Sequence, residues 1–251
     1  MYYINDTNII FYLLASIIGL VIGQLVDWMN ERIPENQKVF SREILRKYKI
    51  DFKPNYILMI VTAVIYTGLV YKFGIQKSFI GNLNLIKYAI LTPMLLSVLV
   101  IDYKKQIIPN RLTLTMFETG MVIAFLYGIS NIAITIDMLF GMLAGIAVFV
   151  VIALIGGLMY GKDAMGLGDI KLIGALGLYF GFANILSISI MAFLIGAIFA
   201  VILITTKQKK ATEYMSFGPF IVISAFINIF VPFDIIITVL KTIFTLGMYK
   251  K

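Results

Sequence analysis

Long stretches without a single charge constrain this chain more than anything else in it. Thr7–Val26 holds 20 residues with no Asp, Glu, Lys or Arg, Pro54–Tyr71 holds 18, Met138–Gly161 holds 24 and Tyr214–Phe233 holds 20. A helix of about 20 apolar residues crosses a hydrocarbon core of about 30 Å. Inside lipid the backbone must satisfy its own hydrogen bonds, which leaves helices or closed barrels. None of these stretches alternates as a barrel strand does. The composition agrees: 61% of the 251 residues are hydrophobic and 14% charged, against about 45–50% and about 25% in soluble domains. A soluble globule is excluded, and so is a disordered chain, which needs low hydrophobicity. The expected fold class is an all-α polytopic membrane protein.

The pattern predicts about eight transmembrane helices. Five fall at Asn8–Val26, Asn55–Tyr71, Asn84–Ile101, Asn110–Gly128 and Met138–Tyr160. The uncharged block Leu172–Thr206 has 35 residues, which accommodates two more only if the first begins near Asp169 and a tight turn lies around Gly181–Asn184. The eighth runs from Phe217 to Val231 and is stopped by Pro232. The tail, 233–251, is expected to lie in the membrane interface or to span it, with the interface preferred. The organisation expected is thus a first transmembrane helix (1–26), a short basic loop (27–54), a transmembrane domain (55–232) and the tail. The first apolar block has no basic stretch before it and no small-residue cleavage site after it, so it reads as a retained span.

The charges orient these spans. Loop 27–53 carries seven Lys or Arg, and the loops after the third, fifth and seventh spans bring that side to fifteen, against three on the other side. Cytoplasmic loops are the basic ones, so the N-terminus is expected outside, in the cell membrane. The tail's Lys241, Lys250 and Lys251 stand outside this tally. The net charge of +8 therefore records topology, and no nucleic-acid partner is expected. The lipid bilayer is the partner that the composition implies.

The chain has no Cys and no His. Disulfides, Cys or His metal sites, and Cys or His nucleophiles and bases are excluded; chemistry falls to Asp, Glu, Lys, Tyr, Ser or Thr. Ionisable groups at membrane boundaries are costly and often functional. Asp102 closes the third span and Asp169 opens the sixth, and the topology puts both at the cytoplasmic boundary, where two carboxylates on adjacent helices would form a dyad. Taken alone, Asp102 also reads as the polar end of a span, and Asp169 as an acid complementing a helix dipole. Glu118, two turns into the fourth span, either faces a polar cavity or pairs with a lysine. Asp163 either orients the site or is solvated. Glu31, Glu35, Glu43 and Asp51 read as solvated or paired acids of the basic loop.

Four segments resemble the type IV prepilin peptidases, a family of GxGD membrane aspartyl proteases. They are Gly23 to Arg32-Ile-Pro34; Asp102 followed by Pro109-Asn110; Asp163-Ala-Met165-Gly166-Leu-Gly168-Asp169-Ile-Lys171; and Phe217-Gly218-Pro219-Phe220. They occur in the family's order, at its spacing and in the expected topology. The chain departs from the family in having Asp163 where Glu is usual, and in lacking the two CxxC pairs often found in the first cytoplasmic region, so no zinc is expected.

The resemblance implies catalytic roles for Asp102 and Asp169, with Gly166, Gly168, Lys171, Asp163, Pro109 and Asn110 supporting the site. Arg32, Pro34, Glu118, Phe217, Gly218 and Pro219 are candidate substrate or loop contacts. It implies an endopeptidase that cuts prepilins or pseudopilins after a glycine, between a basic cytoplasmic leader and an apolar helix. It needs no cofactor for proteolysis; S-adenosylmethionine enters only if the new N-terminus is also methylated, as in many members. An alternative of a different class is a transporter or channel whose boundary carboxylates carry protons or cations; the missing internal repeat counts against it.

Overall fold

The computed structural model describes residues 3–5, 7–35, 54–160, 165–206 and 215–245. The chain forms an all-α polytopic membrane protein organised as two compact units, Met1–Met116 and Phe117–Lys251. Among the described residues a short hairpin precedes the helices, with β1 (Tyr3–Ile4) paired antiparallel to β2 (Thr7–Asn8).

The first unit contains α1 (Ile9–Arg32), α2 (Tyr56–Phe73), α3 (Leu83–Lys105) and the start of α4 (Asn110–Ser130). Asn8 caps α1 by accepting from the Ile10 N–H (3.1 Å), and Asn55 caps α2 by accepting from the Leu58 N–H (3.2 Å). Gly19 and Gly23, one turn apart on α1, let the backbone of α2 approach. A Cβ on Gly19 would lie 2.5 Å from Ala63 Cα, and one on Gly23 2.6 Å from Met59 Cα. Small residues at this spacing are how helices pack in lipid, where burial of apolar surface supplies no drive. The Tyr66 hydroxyl donates to the Ala89 carbonyl (2.7 Å) and ties α2 to α3. α1 runs six residues past the expected boundary at Val26. Charge ends a membrane crossing, but it does not end a helix, whose internal hydrogen bonds continue into water.

The second unit holds the rest of α4, α5 (Ile132–Tyr160), α6 (Leu167–Thr205), α7 (Gly218–Phe230) and α8 (Phe233–Phe244). α6 is two helices joined at Gly181, whose φ of 76° and ψ of 180° interrupt the helix. Along a straight helix Ile173 and Ile185 would be about 18 Å apart. Yet a Cβ on Gly145 of α5 would meet both, the Ile173 carbonyl oxygen at 3.0 Å and Ile185 Cγ1 at 3.3 Å. The chain therefore doubles back at Gly181, and α6 supplies both the sixth and the seventh span, with the tight turn at the expected place. Asp137, near the start of α5, accepts from the Phe182 N–H (3.3 Å) and holds the turn. α5 begins at Ile132, earlier than the expected Met138, which brings Asp137 into the helix.

Phe217 packs its ring against Phe193 (4.9 Å) and Phe149 (6.0 Å), and Ser187 donates to Asn228 Oδ1 (2.7 Å), so α7 is held by both aromatic and polar contacts. α8 follows Pro232 directly and has 12 residues, about 18 Å of helix and too short to cross a membrane. Its Ile236 and Leu240 are buried while Ile235, Val239, Ile243 and Phe244 are exposed.

Candidate active site

Asp102 lies one turn from the end of α3. The helix stops at Gln106, which takes a left-handed φ of 55° and donates its N–H to the Asp102 carbonyl (2.9 Å). Pro109 then opens α4: its own nitrogen carries no hydrogen, and its carbonyl accepts from the N–H groups of Leu112 (3.0 Å) and Thr113 (3.3 Å). The segment from Asp102 to Asn110 is thus a corner between two helices. At that corner Tyr103, Lys104, Lys105 and Gln106 are exposed, whereas Asp102 is only 3% exposed.

Asp169 occupies the first turn of α6, where its N–H donates to the carbonyl of Gly166 (3.1 Å), an extended N-cap residue. The unpaired N–H groups at a helix start favour a negative charge there. Asp169 is 4% exposed and leads into the fully buried run Leu172–Gly181. Buried carboxylates are rare because leaving water costs several kcal/mol, of order 2–7 even for an uncharged polar group. Asp102 belongs to the first unit and Asp169 to the second.

Within the first unit the Arg32-Ile-Pro34 segment meets the end of α3. Glu35 pairs with Lys105 (4.0 Å), and the Arg32 guanidinium lies over the Trp28 ring, 4.8 Å from its centroid. A cavity of about 430 Å3 opens here, lined by Asp27, Asn30, Glu31 and Arg32 of α1 and by Ile101 and Lys104 of α3, among others. Asn55 fixes Asp27, one of the lining residues. The Asn55 side chain donates to Asp27 Oδ1 (2.6 Å), while its backbone N–H donates to Gln24 Oε1 (3.0 Å).

The other expected site residues separate clearly. Lys171 and Asn110 are exposed, Gly166, Gly168 and Pro109 half-buried, and Asp163 lies outside the described residues. Glu118 is on an exposed face of α4 beside Leu114, Phe117 and Val122. Phe217, Gly218 and Pro219 serve packing: Gly218 is buried, Pro219 sits in the first turn of α7 where proline is tolerated, and Phe217 joins the aromatic cluster. Asn30 and Asp137 were not singled out from the sequence. A period-four run of acids at Asp27, Glu31 and Glu35 was the available signal for the first; nothing local signals the second. Among the described residues no three acidic side chains form a metal-binding group.

Residues 89–201 match the model of the type IV leader peptidase family, an interval that contains both Asp102 and Asp169. A prepilin leader peptidase/N-methyltransferase of Aeromonas salmonicida is 31% identical over 138 residues, which is 55% of this chain and 46% of that protein. The protein of the same description from Xanthomonas campestris pv. campestris is 28% identical over 217 residues, 84% of this chain and 70% of its own length. That from Escherichia coli is 29% identical over 134 residues, 53% and 58% of the two chains. The chain spans about half the length of the Aeromonas relatives it matches. No solved structure matches. Residues 89–201 are therefore similar to the type IV leader peptidase family.

Proposed function

We propose that the chain is an intramembrane aspartyl endopeptidase that removes the basic leader of type IV prepilins or pseudopilins, cutting after a glycine at the cytoplasmic membrane boundary. The observation that carries this reading is the pair of buried carboxylates, Asp102 and Asp169, each beside a helix end and both inside the family-matched interval. They form the catalytic dyad. The excess of basic residues in alternate loops supports a cell-membrane location with this site facing the cytoplasm.

Two carboxylates held together do not both ionise easily, so they share one proton. The ionised member takes a proton from a water molecule as the water oxygen bonds to the scissile carbonyl carbon. The protonated member gives its proton to the carbonyl oxygen, and the tetrahedral intermediate then collapses as the leaving amine is protonated. The substrate backbone approaches Asp169 over Gly166 and Gly168, which lack side chains to obstruct it. Lys171, Pro109 and Asn110 are assigned supporting roles in the two segments that carry these aspartates.

The test is co-expression with a prepilin substrate of wild type, Asp102→Asn and Asp169→Asn. Proton transfer by such groups contributes about 10²–10⁴-fold, so each variant should process the substrate at least about 10²-fold more slowly while still folding. Wild-type processing by either variant rejects the dyad. The relatives' names also include N-methyltransferase. The mass of the mature pilin N-terminus decides whether methylation from S-adenosylmethionine accompanies cleavage; an unmodified amine removes it.

A further inference from the structure

The cavity between the ends of α1 and α3 contains an anomaly. Asn30 is 8% exposed, and neither its Oδ1 nor its Nδ2 has a hydrogen-bond partner among the described residues. Buried polar groups are ordinarily paired, and one left unpaired invites an explanation. Here the side chain borders a space of about 430 Å3, within the range that accommodates a ligand. A carboxamide offers one acceptor and one donor group side by side, the same set that a peptide bond presents. It therefore pairs with an extended backbone in both directions at once.

The charges around it narrow the choice. Asp27, Glu31 and Glu35 recur every four residues, so they share one face of α1 and its continuation. The cations of the lining are partly committed, Lys105 to Glu35 and Arg32 to the Trp28 ring. Glu31 is exposed and has no ion pair among the described residues. With Lys104 also in the lining, three carboxylates stand against three cations; beside Asn30 it is Glu31, one residue on and without an ion pair among the described residues, that a cationic side chain would meet. Position fits as well: Ile101, part of the lining, immediately precedes Asp102.

We propose that this cavity is the subsite for the leader side of the substrate, with the Asn30 carboxamide bonding the peptide backbone and Glu31 pairing with a cationic leader side chain. The proposal rests on the peptidase reading and adds to it the residues that select the leader. It also gives a basic leader a local carboxylate partner, Glu31, on a side whose loops carry fifteen basic residues.

The test uses the full chain in phosphatidylcholine vesicles and a fluorescent peptide consisting of a lysine-bearing leader, a glycine and an apolar helix. Binding is read by anisotropy on the Asp102→Asn protein and cleavage on the wild type. Asn30→Leu should weaken binding and raise KM about tenfold, the loss of one buried hydrogen-bonding group, with the effect on KM rather than kcat. Asn30→Asp, which keeps the shape and removes the donor, should do the same to a smaller extent. Glu31→Gln should raise KM about threefold, as for an exposed ion pair, and should abolish the preference for lysine over norleucine in the leader. Unchanged KM in both Asn30 variants overturns the subsite, as does a lysine preference that survives Glu31→Gln. Asn30-dependent binding without wild-type cleavage would reject the peptidase reading and keep the subsite.

Discussion

Replacing Gly181 with alanine tests the reversal that makes two spans of α6. The residue has φ 76° and ψ 180°, a region that is essentially glycine-only and costs about 1–3 kcal/mol for another residue. A Cβ there would also fall on the Asp137 carboxylate, whose Oδ1 accepts from the Phe182 N–H at 3.3 Å. Asp137 is exposed and free to swing away, at the cost of that hydrogen bond, about 0.5–1.5 kcal/mol net. Together these terms come to about 2–4 kcal/mol, or about 5–15 °C in melting temperature for a chain of this length. The assay is circular-dichroism melting in detergent of the parent, Gly181→Ala, Asp137→Ala and the double variant. With Asp137 already removed, Gly181→Ala should retain only its backbone cost, so the cycle should show a coupling of about 1 kcal/mol. A Gly181→Ala protein that melts like its parent refutes the strained turn. Equal losses in both backgrounds refute the role given to Asp137.

Gly177 should tolerate nothing larger, because a Cβ there would collide with the backbone at Gly141 and Met142; Gly177→Val should lower the yield of folded protein, measured by monodisperse elution in detergent. Asn55→Ala should destabilise by about 1–2 kcal/mol through loss of the α2 cap and the Asp27 hydrogen bond, and a cycle with Asp27→Ala should show the two changes to be non-additive in the same melting assay. Since two carboxylates move the proton in the proposed reaction, excess EDTA should leave the cleavage rate unchanged, whereas chelator inactivation that added metal reverses would overturn the aspartyl mechanism.

The long spans and the turn in α6 were legible because each depends on a short run of residues, whereas α7, with 13 residues, is shorter than the expected eighth span. Lipid imposes a length on every crossing, and 35 uncharged residues in one block admit two crossings only with a reversal near Gly181. Helix ends were less legible. α1 continues to Arg32 and α5 begins at Ile132, since polar residues that leave the membrane lose nothing by staying helical. Phe217, Gly218 and Pro219 are candidates for substrate or loop contacts on sequence; Phe217 also packs in an aromatic cluster with Phe149 and Phe193, and packing partners 24 and 68 residues distant in sequence leave no local trace. Asn30 lay within a recognised segment without standing out, because an asparagine in a row of polar residues is ordinary until its surroundings are known.

By itself the sequence determined the class of the molecule, an all-α polytopic membrane protein, and singled out two boundary aspartates as candidates, as these follow from composition, run length and residue type. Only the tertiary structure decided that Asp102 and Asp169 are buried while the neighbouring lysines are exposed, that Asp137 holds the Gly181 turn, and that Asn30 and Glu31 border a cavity beside Asp102. Those outcomes depend on which helix faces meet. Burial is a property of the surrounding elements, and no residue carries it alone.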